Sequence, residues 1–176
     1  FKGVINVADI SYANLTISGG ENSTWHLLGN PFSSALRWND GNWDLNNVSG
    51  TAKIWSESGK SYVDIGVNGI IPMAQGFMVS MNSSTNSLRI PAASRVHSAT
   101  AWYKSGESTL DKIVLIASEQ DGNSFQETTV RVDELATADF DFYSDSRFLP
   151  GYAPQFYSVC GTEKLSTNYI PSLGTE

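Results

Sequence analysis

The sequence contains one cysteine, few basic residues and no long apolar run, and each shortage excludes a class of protein. Cys160 has no second cysteine to pair with inside the chain, which excludes an internal disulfide framework and a zinc site built from several cysteines. The 11 Lys and Arg residues are scattered and outnumbered by 18 Asp and Glu residues, giving a formal net charge of −7. Nucleic acid is therefore not an expected partner, because binding it requires a basic surface.

The remaining composition indicates the fold class. No apolar stretch approaches the roughly 20 residues that a membrane-spanning helix needs, so membrane insertion is not expected. Charged residues make up only 16% of the chain, whereas Ser, Thr, Asn and Gly are abundant and five Trp contribute to an aromatic content of 11%. Because helix surfaces are usually rich in Glu, Lys and Ala, this composition favours an all-β extracellular protein with many turns.

Short apolar segments separated by turn-forming residues recur along the whole chain. They predict strands at 1–8, 10–17, 24–28, 52–55, 61–65, 77–81, 88–90, 101–103, 112–117, 128–132, 155–159 and 163–167. The uninterrupted apolar run at 113–116 predicts a strand buried on both faces. About a dozen short strands without a long amphipathic helix predict a jelly-roll-like β-sandwich. Because no repeat or linker divides the sequence, we predict a single domain over 1–176.

The predicted strand 24–28 is ended by the turn-forming residues Gly29, Asn30 and Pro31. Pro31 lacks a backbone N–H and drives Asn30 out of the helical region, so the chain is expected to turn a corner here. Trp38 follows the corner. The next segment, 39–50, is polar and rich in Gly and Asn, which predicts a long surface loop.

The aromatic residues give the clearest indication of a binding function. A Trp or Tyr ring can stack on the C–H face of a sugar while amide and carboxylate groups hydrogen-bond the hydroxyls. Trp43 is expected to be exposed because polar and turn residues surround it, whereas Trp38 is either a second ligand contact or a core residue. The predicted polysaccharide-binding residues are Trp43, Trp38, Asp40, Asn42, Asp44, Trp102 and Tyr103. The aromatic residues expected in the core are Trp25, Trp55, Phe77 and Phe156.

The acidic segment 133–145 allows a metal site. Asp139, Asp141 and Asp145 carry oxygen atoms that suit a structural Ca²⁺, although their spacing does not match an EF-hand loop and a solvated acidic loop is the alternative.

Catalysis is not expected. No nucleophile elbow surrounds any serine, and His26 lies inside an apolar segment where a structural role is the simpler interpretation.

Several motifs occur in the same order as in a known type of secreted module. They are Phe-x-Gly at the start, Trp-x-Leu-x-Gly-Asn-Pro-Phe-x-Ser from Trp25, Ile54-Trp55, Ile71-Pro72-x-x-Gln75-Gly76-Phe77, Ala136-Thr137-x-x-Phe140-Asp141, Ser144-Asp145-x-x-Phe148-x-x-Gly151, Pro154-Gln155-x-Tyr157-Ser158 and Glu163-Lys164-Leu165-Ser166. In this order they resemble a non-catalytic β-sandwich module of large secreted Bacteroidetes proteins that use type IX secretion. The resemblance implies a secreted or cell-surface location and neighbouring domains in a longer chain. It also implies further strands after Pro171, and thus a truncated C-terminal end.

Two functions are therefore expected. The first is a non-catalytic carbohydrate-binding accessory module of a secreted protein. The second is a structural spacer or adhesion domain without a sugar ligand. Exposed coplanar aromatic rings would favour the first function, whereas buried aromatic residues and an exposed apolar patch would favour the second.

Overall fold

The computed structural model describes residues 4–17, 19, 23–83, 86–97 and 111–173. Within these residues the protein is all-β, as predicted, with several antiparallel sheets consistent with a β-sandwich. The strands are β1 (Ile10–Leu15), β2 (Trp25–Gly29), β3 (Ala35–Arg37), β4 (Ala52–Ser56), β5 (Ser61–Ile65), β6 (Ile70–Ile71), β7 (Gly76–Ser80), β8 (Asn86–Ile90), β9 (Arg95–Val96), β10 (Lys112–Ser118), β11 (Phe125–Val132), β12 (Ser146–Arg147), β13 (Ser158–Cys160) and β14 (Glu163–Ile170). In the same residues, no helix has the length and apolar character needed to cross a membrane.

The chain divides into two compact units. The first comprises residues 1–54 and 65–106, and the second comprises residues 55–64 and 107–176. The chain passes from the first unit to the second within β4 and returns within β5. The single domain over 1–176 stays a prediction.

In the first unit, strands from different sheets contribute to one apolar core. One sheet pairs β2 with β7, where Leu28 lies opposite Phe77, and another pairs β3 with β6, where Leu36 lies opposite Ile71. All four side chains are buried. Trp38 directly follows β3 and is fully buried, and its ring centre lies 6.1 Å from that of Phe77. The core therefore joins the two sheets, as in a sandwich.

The corner after β2 is held by the side chain of Asn30. Its Nδ2 donates to the carbonyl oxygens of Ser34 and Pro72, both at 2.9 Å, and its Oδ1 accepts the N–H of Phe32 at 3.0 Å. Asn30 is itself buried. The predicted corner is therefore correct, but β3, which follows it, was not among the predicted strands.

The second unit contains a sheet with the strand order β10-β11-β14-β12, and β13 also pairs with β14. All of its pairs are antiparallel except β11 with β14, where Thr129 lies opposite Thr167 in a parallel register. Parallel neighbours need a crossover connection, whereas antiparallel ones can be joined by a tight turn. The long segment 133–162 provides this crossover.

The strand predicted over 1–8 is wrong for the residues that the structure describes. Residues 4–9 form no strand, and the side chains of Val4, Ile5 and Val7 are exposed. Alternating apolar residues form a strand only where a neighbouring strand satisfies the backbone and another layer covers one face.

The prediction that 113–116 is buried on both faces is also wrong. β10 lies at the end of its strand order, and the side chains of Ile113, Val114, Leu115 and Ile116 are all exposed. A continuous apolar run predicts a strand with apolar side chains on both faces. It does not predict whether other parts of the same chain cover those faces.

We expect Asn30→Ala to lower the free energy of unfolding by about 2–4 kcal/mol, because it removes three hydrogen bonds and leaves buried backbone groups unpaired. Chemical denaturation measures this change. The matched control is Ser33→Ala at an exposed position in the same corner, which should change the value by less than about 0.5 kcal/mol. Equal stabilities of the two variants would contradict the role given to Asn30.

Candidate functional site

Trp43, expected to be exposed, is a buried residue with 8% exposure. Its ring centre lies 4.5 Å from that of Trp38, and its Nε1–H donates to the carbonyl oxygen of Arg37 at 2.8 Å. The Nε1–H of Trp38 donates to the carbonyl oxygen of Gly50 at 2.7 Å. The predicted exposure of Trp43 is therefore wrong. The large apolar ring packs the polar loop against the core, and the carbonyl of Arg37 on β3 satisfies its indole N–H.

The polar side chains of this loop mainly bond to neighbouring residues. Asp40 Oδ1 accepts the N–H of Asn42 at 3.1 Å and the hydroxyl of Ser94 at 2.8 Å, and Oδ2 accepts the side-chain amide of Asn42. Partial burial raises the pKa of Asp40, but these hydrogen bonds outweigh it and hold the pKa below its usual value. Asp44 is exposed and accepts the N–H of Asn46. Neither buried Trp offers these groups an open ring face.

Two further residues of the predicted sugar site, Trp102 and Tyr103, lie outside the described residues. Their part in the site stays a prediction.

The predicted calcium ligands have different environments. Asp145 is buried, and its two carboxylate oxygens accept the N–H groups of Asp141 and Tyr169, both at 2.8 Å. Burial raises the pKa of Asp145, and these hydrogen bonds partly offset the rise. Asp141 accepts the N–H of Tyr143 at 2.9 Å, whereas Asp139 is exposed. The carboxylates of Asp141 and Asp145 therefore hold the loop backbone in place.

Across the described ranges, no group of three or more His, Cys, Asp or Glu side chains is arranged to hold a metal ion. The structural Ca²⁺ at Asp139, Asp141 and Asp145 stays a prediction.

A partly exposed group of aromatic rings lies in the second unit. Trp55 is near the end of β4 and Tyr62 near the start of β5, and their ring centres are 5.2 Å apart with planes at 72°. Tyr152, from the crossover segment, lies 5.9 Å from Trp55 with its plane at 89°. Tyr152 is 87% exposed, whereas Trp55 and Tyr62 are half-buried. We call these three residues the aromatic cluster.

Backbone contacts fix the position of Tyr152 in the cluster. The N–H groups of Tyr152 and Ala153 both donate to the carbonyl oxygen of Lys60, at 2.9 and 3.0 Å. A Cβ at Gly151 would lie 2.6 Å from that oxygen and 3.0 Å from the Trp55 ring, so only glycine permits this close approach. These contacts fix the backbone of Tyr152, while its ring lies largely in water beside Trp55.

Polar groups border the aromatic cluster. The Nε1–H of Trp55 donates to Glu57 Oε2 at 3.0 Å, and Glu57 Oε1 forms an ion pair with Lys60 Nζ. The hydrogen bonds from Lys60 and Trp55 hold the pKa of Glu57 below its usual value. Because the Glu57 side chain is 78% exposed, a charged acceptor lies in water next to the rings.

A second polar group in this unit involves two carboxylates. Asp64 Oδ2 accepts the hydroxyls of Ser166 at 2.8 Å and Thr167 at 2.7 Å. Burial raises the pKa of Glu127 on β11, the charge of Asp64 raises it further, and Lys112 partly offsets the rise. These contacts join β5 to β14 within the second unit.

Comparisons with models of protein families, with curated proteins and with solved structures found no match to this chain. The resemblance to secreted Bacteroidetes modules stays a prediction.

The aromatic cluster was missed because Trp55 was assigned to the core. One signal for it is present in the sequence, since Trp55 and Tyr62 lie three and four residues from the middle of the predicted turn 56–60, which joins two predicted strands. Hairpin pairing places such residues side by side. Tyr152 is distant in sequence, and no local pattern brings it to the hairpin.

We expect Trp43→Ala to lower the free energy of unfolding by about 3–5 kcal/mol, because it opens a cavity beside Trp38 and removes an indole hydrogen bond. Thermal or chemical denaturation measures the loss. Tyr143→Ala, at an exposed tyrosine, is the control and should change the value far less. An unchanged stability of Trp43→Ala would show that the ring is not part of the core.

We expect Glu127→Gln to become increasingly more stable than the wild type as pH rises. The usual pKa is near 4.5, and the folded-state pKa is raised, so the folded protein binds this proton more tightly than the unfolded chain. The wild type therefore loses stability as pH rises from the unfolded value through the folded one, whereas the Gln side chain does not ionise. Urea denaturation at several pH values measures the difference between the two proteins. A difference that does not change with pH would contradict this expectation.

Proposed function

We propose that this protein is a non-catalytic carbohydrate-binding module that binds polysaccharide through the aromatic cluster. The supporting observation is the 87% exposed ring of Tyr152, which lies beside Trp55 on a backbone that hydrogen bonds to Lys60 fix. Stacking on a sugar needs an open aromatic face that loses little conformational freedom on binding. Fixing the backbone on both sides of the contact reduces that loss.

The polar groups beside the rings suit sugar hydroxyls. Glu57 supplies a carboxylate acceptor and Lys60 an ammonium donor, and both remain partly exposed. The net charge of −7 favours a neutral glycan over an anionic one, because like charges repel over the distances of an encounter.

The ring orientation favours a single glycan chain or a chain end. A flat crystalline polysaccharide presents one plane and is best matched by coplanar rings. The ring planes here stand at 72° and 89° to each other, so they match the different sides of one chain better than a flat surface.

The proposal includes the biological context that the sequence resemblance implies. The protein acts as an accessory module of a secreted or cell-surface bacterial protein, next to other domains of a longer chain, and it catalyses no reaction itself.

A structural spacer or adhesion domain is the second candidate function. It is favoured by one specific observation, the exposed apolar side chains of β10, because exposed apolar surface of this kind often marks a protein contact.

We expect Tyr152→Ala to weaken binding to a soluble neutral polysaccharide about tenfold or more, because it removes the open stacking surface. Affinity gel electrophoresis with a panel of soluble glucans, mannans and xylans measures retention, and a pull-down with crystalline cellulose and chitin tests flat surfaces. The matched control is Tyr143→Ala, which removes a tyrosine that is 53% exposed but lies outside the cluster.

One outcome of this experiment tests the binding site, and another tests the carbohydrate-binding function itself. Equal retention of Tyr152→Ala and the wild type would show that the cluster is not the binding site. Failure of the wild type to bind any polysaccharide of the panel would contradict the carbohydrate-binding function and favour the second candidate.

A further inference from the structure

β10 exposes apolar side chains on both faces of its sheet. Ile113 is 44%, Val114 40%, Leu115 49% and Ile116 63% exposed. Successive side chains point to opposite faces, so Ile113 and Leu115 share one face and Val114 and Ile116 share the other. One edge of β10 pairs with β11 over its full length, from Lys112 opposite Arg131 to Ser118 opposite Phe125. Among the described strands, none pairs with the other edge.

The outer edge offers a regular row of backbone groups. The N–H of Val132 donates to the oxygen of Asp111 and the N–H of Glu119 donates to the oxygen of Ser124, so the pairing with β11 extends one residue beyond each end of β10. In an antiparallel pair, residues alternate between those that bond to the neighbour and those that point away. The odd-numbered residues from 111 to 119 therefore bond to β11. The residues whose N–H and C=O groups face outwards are Lys112, Val114, Ile116 and Ser118.

We propose that the outer edge of β10 binds the same edge of a second copy of this chain, forming an antiparallel dimer across a two-fold axis. A two-fold axis between antiparallel strands of one sheet runs perpendicular to the sheet, so each residue keeps its face in the copy. Residues that lie opposite each other share a face. The register must therefore pair even-numbered residues with even-numbered ones and odd with odd.

One permitted register matches every residue within β10 and leaves like charges only at Asp111 and Glu119, one residue beyond its ends. With Leu115 on the axis opposite the Leu115 of the second copy, Val114 lies opposite Ile116, Ile113 opposite Ala117, and Lys112 opposite Ser118. All the outward-facing residues of β10 then meet one another in hydrogen-bonded pairs. Leu115 forms a non-hydrogen-bonded pair, in which side chains approach most closely. No charge faces an apolar side chain within the strand.

This self-complementarity favours a second copy over an unrelated partner. A register shifted by two residues in one direction places Lys112 opposite Ile116, and a shift in the other direction places Ile113 opposite Glu119. Both shifts put a charged side chain against an apolar one. Pairing of unprotected edges is also the ordinary way in which exposed strands associate.

Leu115→Asp tests the proposal by placing two like charges on the axis. Sedimentation equilibrium over a wide concentration range should show a monomer–dimer equilibrium for the wild type and a monomer for this variant. Leu135→Asp is the matched control, because it changes a leucine that is 93% exposed outside β10, and it should dimerise like the wild type. Circular dichroism confirms that the variants are folded. A wild type that stays monomeric at all concentrations, or a folded Leu115→Asp that dimerises normally, would overturn the proposal.

A charge-exchange cycle tests the register itself. In the proposed register, Asp111 lies opposite Glu119 of the second copy, so like charges meet at both ends of the paired strands. Glu119→Lys converts both contacts into opposite-charge pairs and should lower the dimer dissociation constant about tenfold. Asp111→Lys should act in the same direction. The double variant Asp111→Lys/Glu119→Lys restores like charges and should lose the gain. Additive gains in the double variant would show that this register is wrong.

Discussion

The backbone of the long irregular segments needs hydrogen-bond partners, and buried side chains supply them in both units. Short strands leave many loop N–H and C=O groups outside the sheet ladders, and such groups are costly when they are buried without partners. In the first unit, Asn30 bonds three backbone groups around a corner. The indole N–H of Trp38 reaches the carbonyl of Gly50 in the loop, and that of Trp43, from the loop, reaches the carbonyl of Arg37 on β3. In the second, Asp145 accepts two backbone N–H groups with its two oxygens. The positions of the loops depend on these few side chains.

The same constraint explains why a polar sequence does not mean a surface loop. Segment 39–50 is irregular, as predicted, but it carries Trp43 and the fully buried Val48 into the core. Its Asn and Asp residues stabilise turns, while its apolar residues decide which side of the loop faces inwards. In the second unit a main-chain oxygen fixes a loop in the same way. The Lys60 carbonyl accepts the N–H groups of Tyr152 and Ala153, and the Tyr152 ring remains in water.

The sequence was sufficient for features that depend on local chemistry. It predicted the all-β class, the corner at Asn30 and strands such as 24–28 and 77–81, since turn residues and apolar alternation act over a few positions. It wrongly predicted that Trp43 is exposed and that 113–116 is buried, because burial depends on what packs against a segment from elsewhere in the chain. The aromatic cluster required the pairing of β4 with β5 and a contact from the distant Tyr152. Such contacts follow from tertiary structure, which periodicity does not encode.

The two proposals concern the same unit and strengthen each other physically, although they rest on independent observations. The cluster contains three aromatic rings, only one of which is widely exposed, so a single cluster is suited to modest affinity for one stretch of glycan. A dimer carries two clusters, and a polysaccharide repeats the recognised unit along its length. Once one cluster is bound, the second encounter becomes intramolecular, and the overall affinity rises without any new contact to the sugar. Strand pairing would thus make a small aromatic site effective on a repeating ligand.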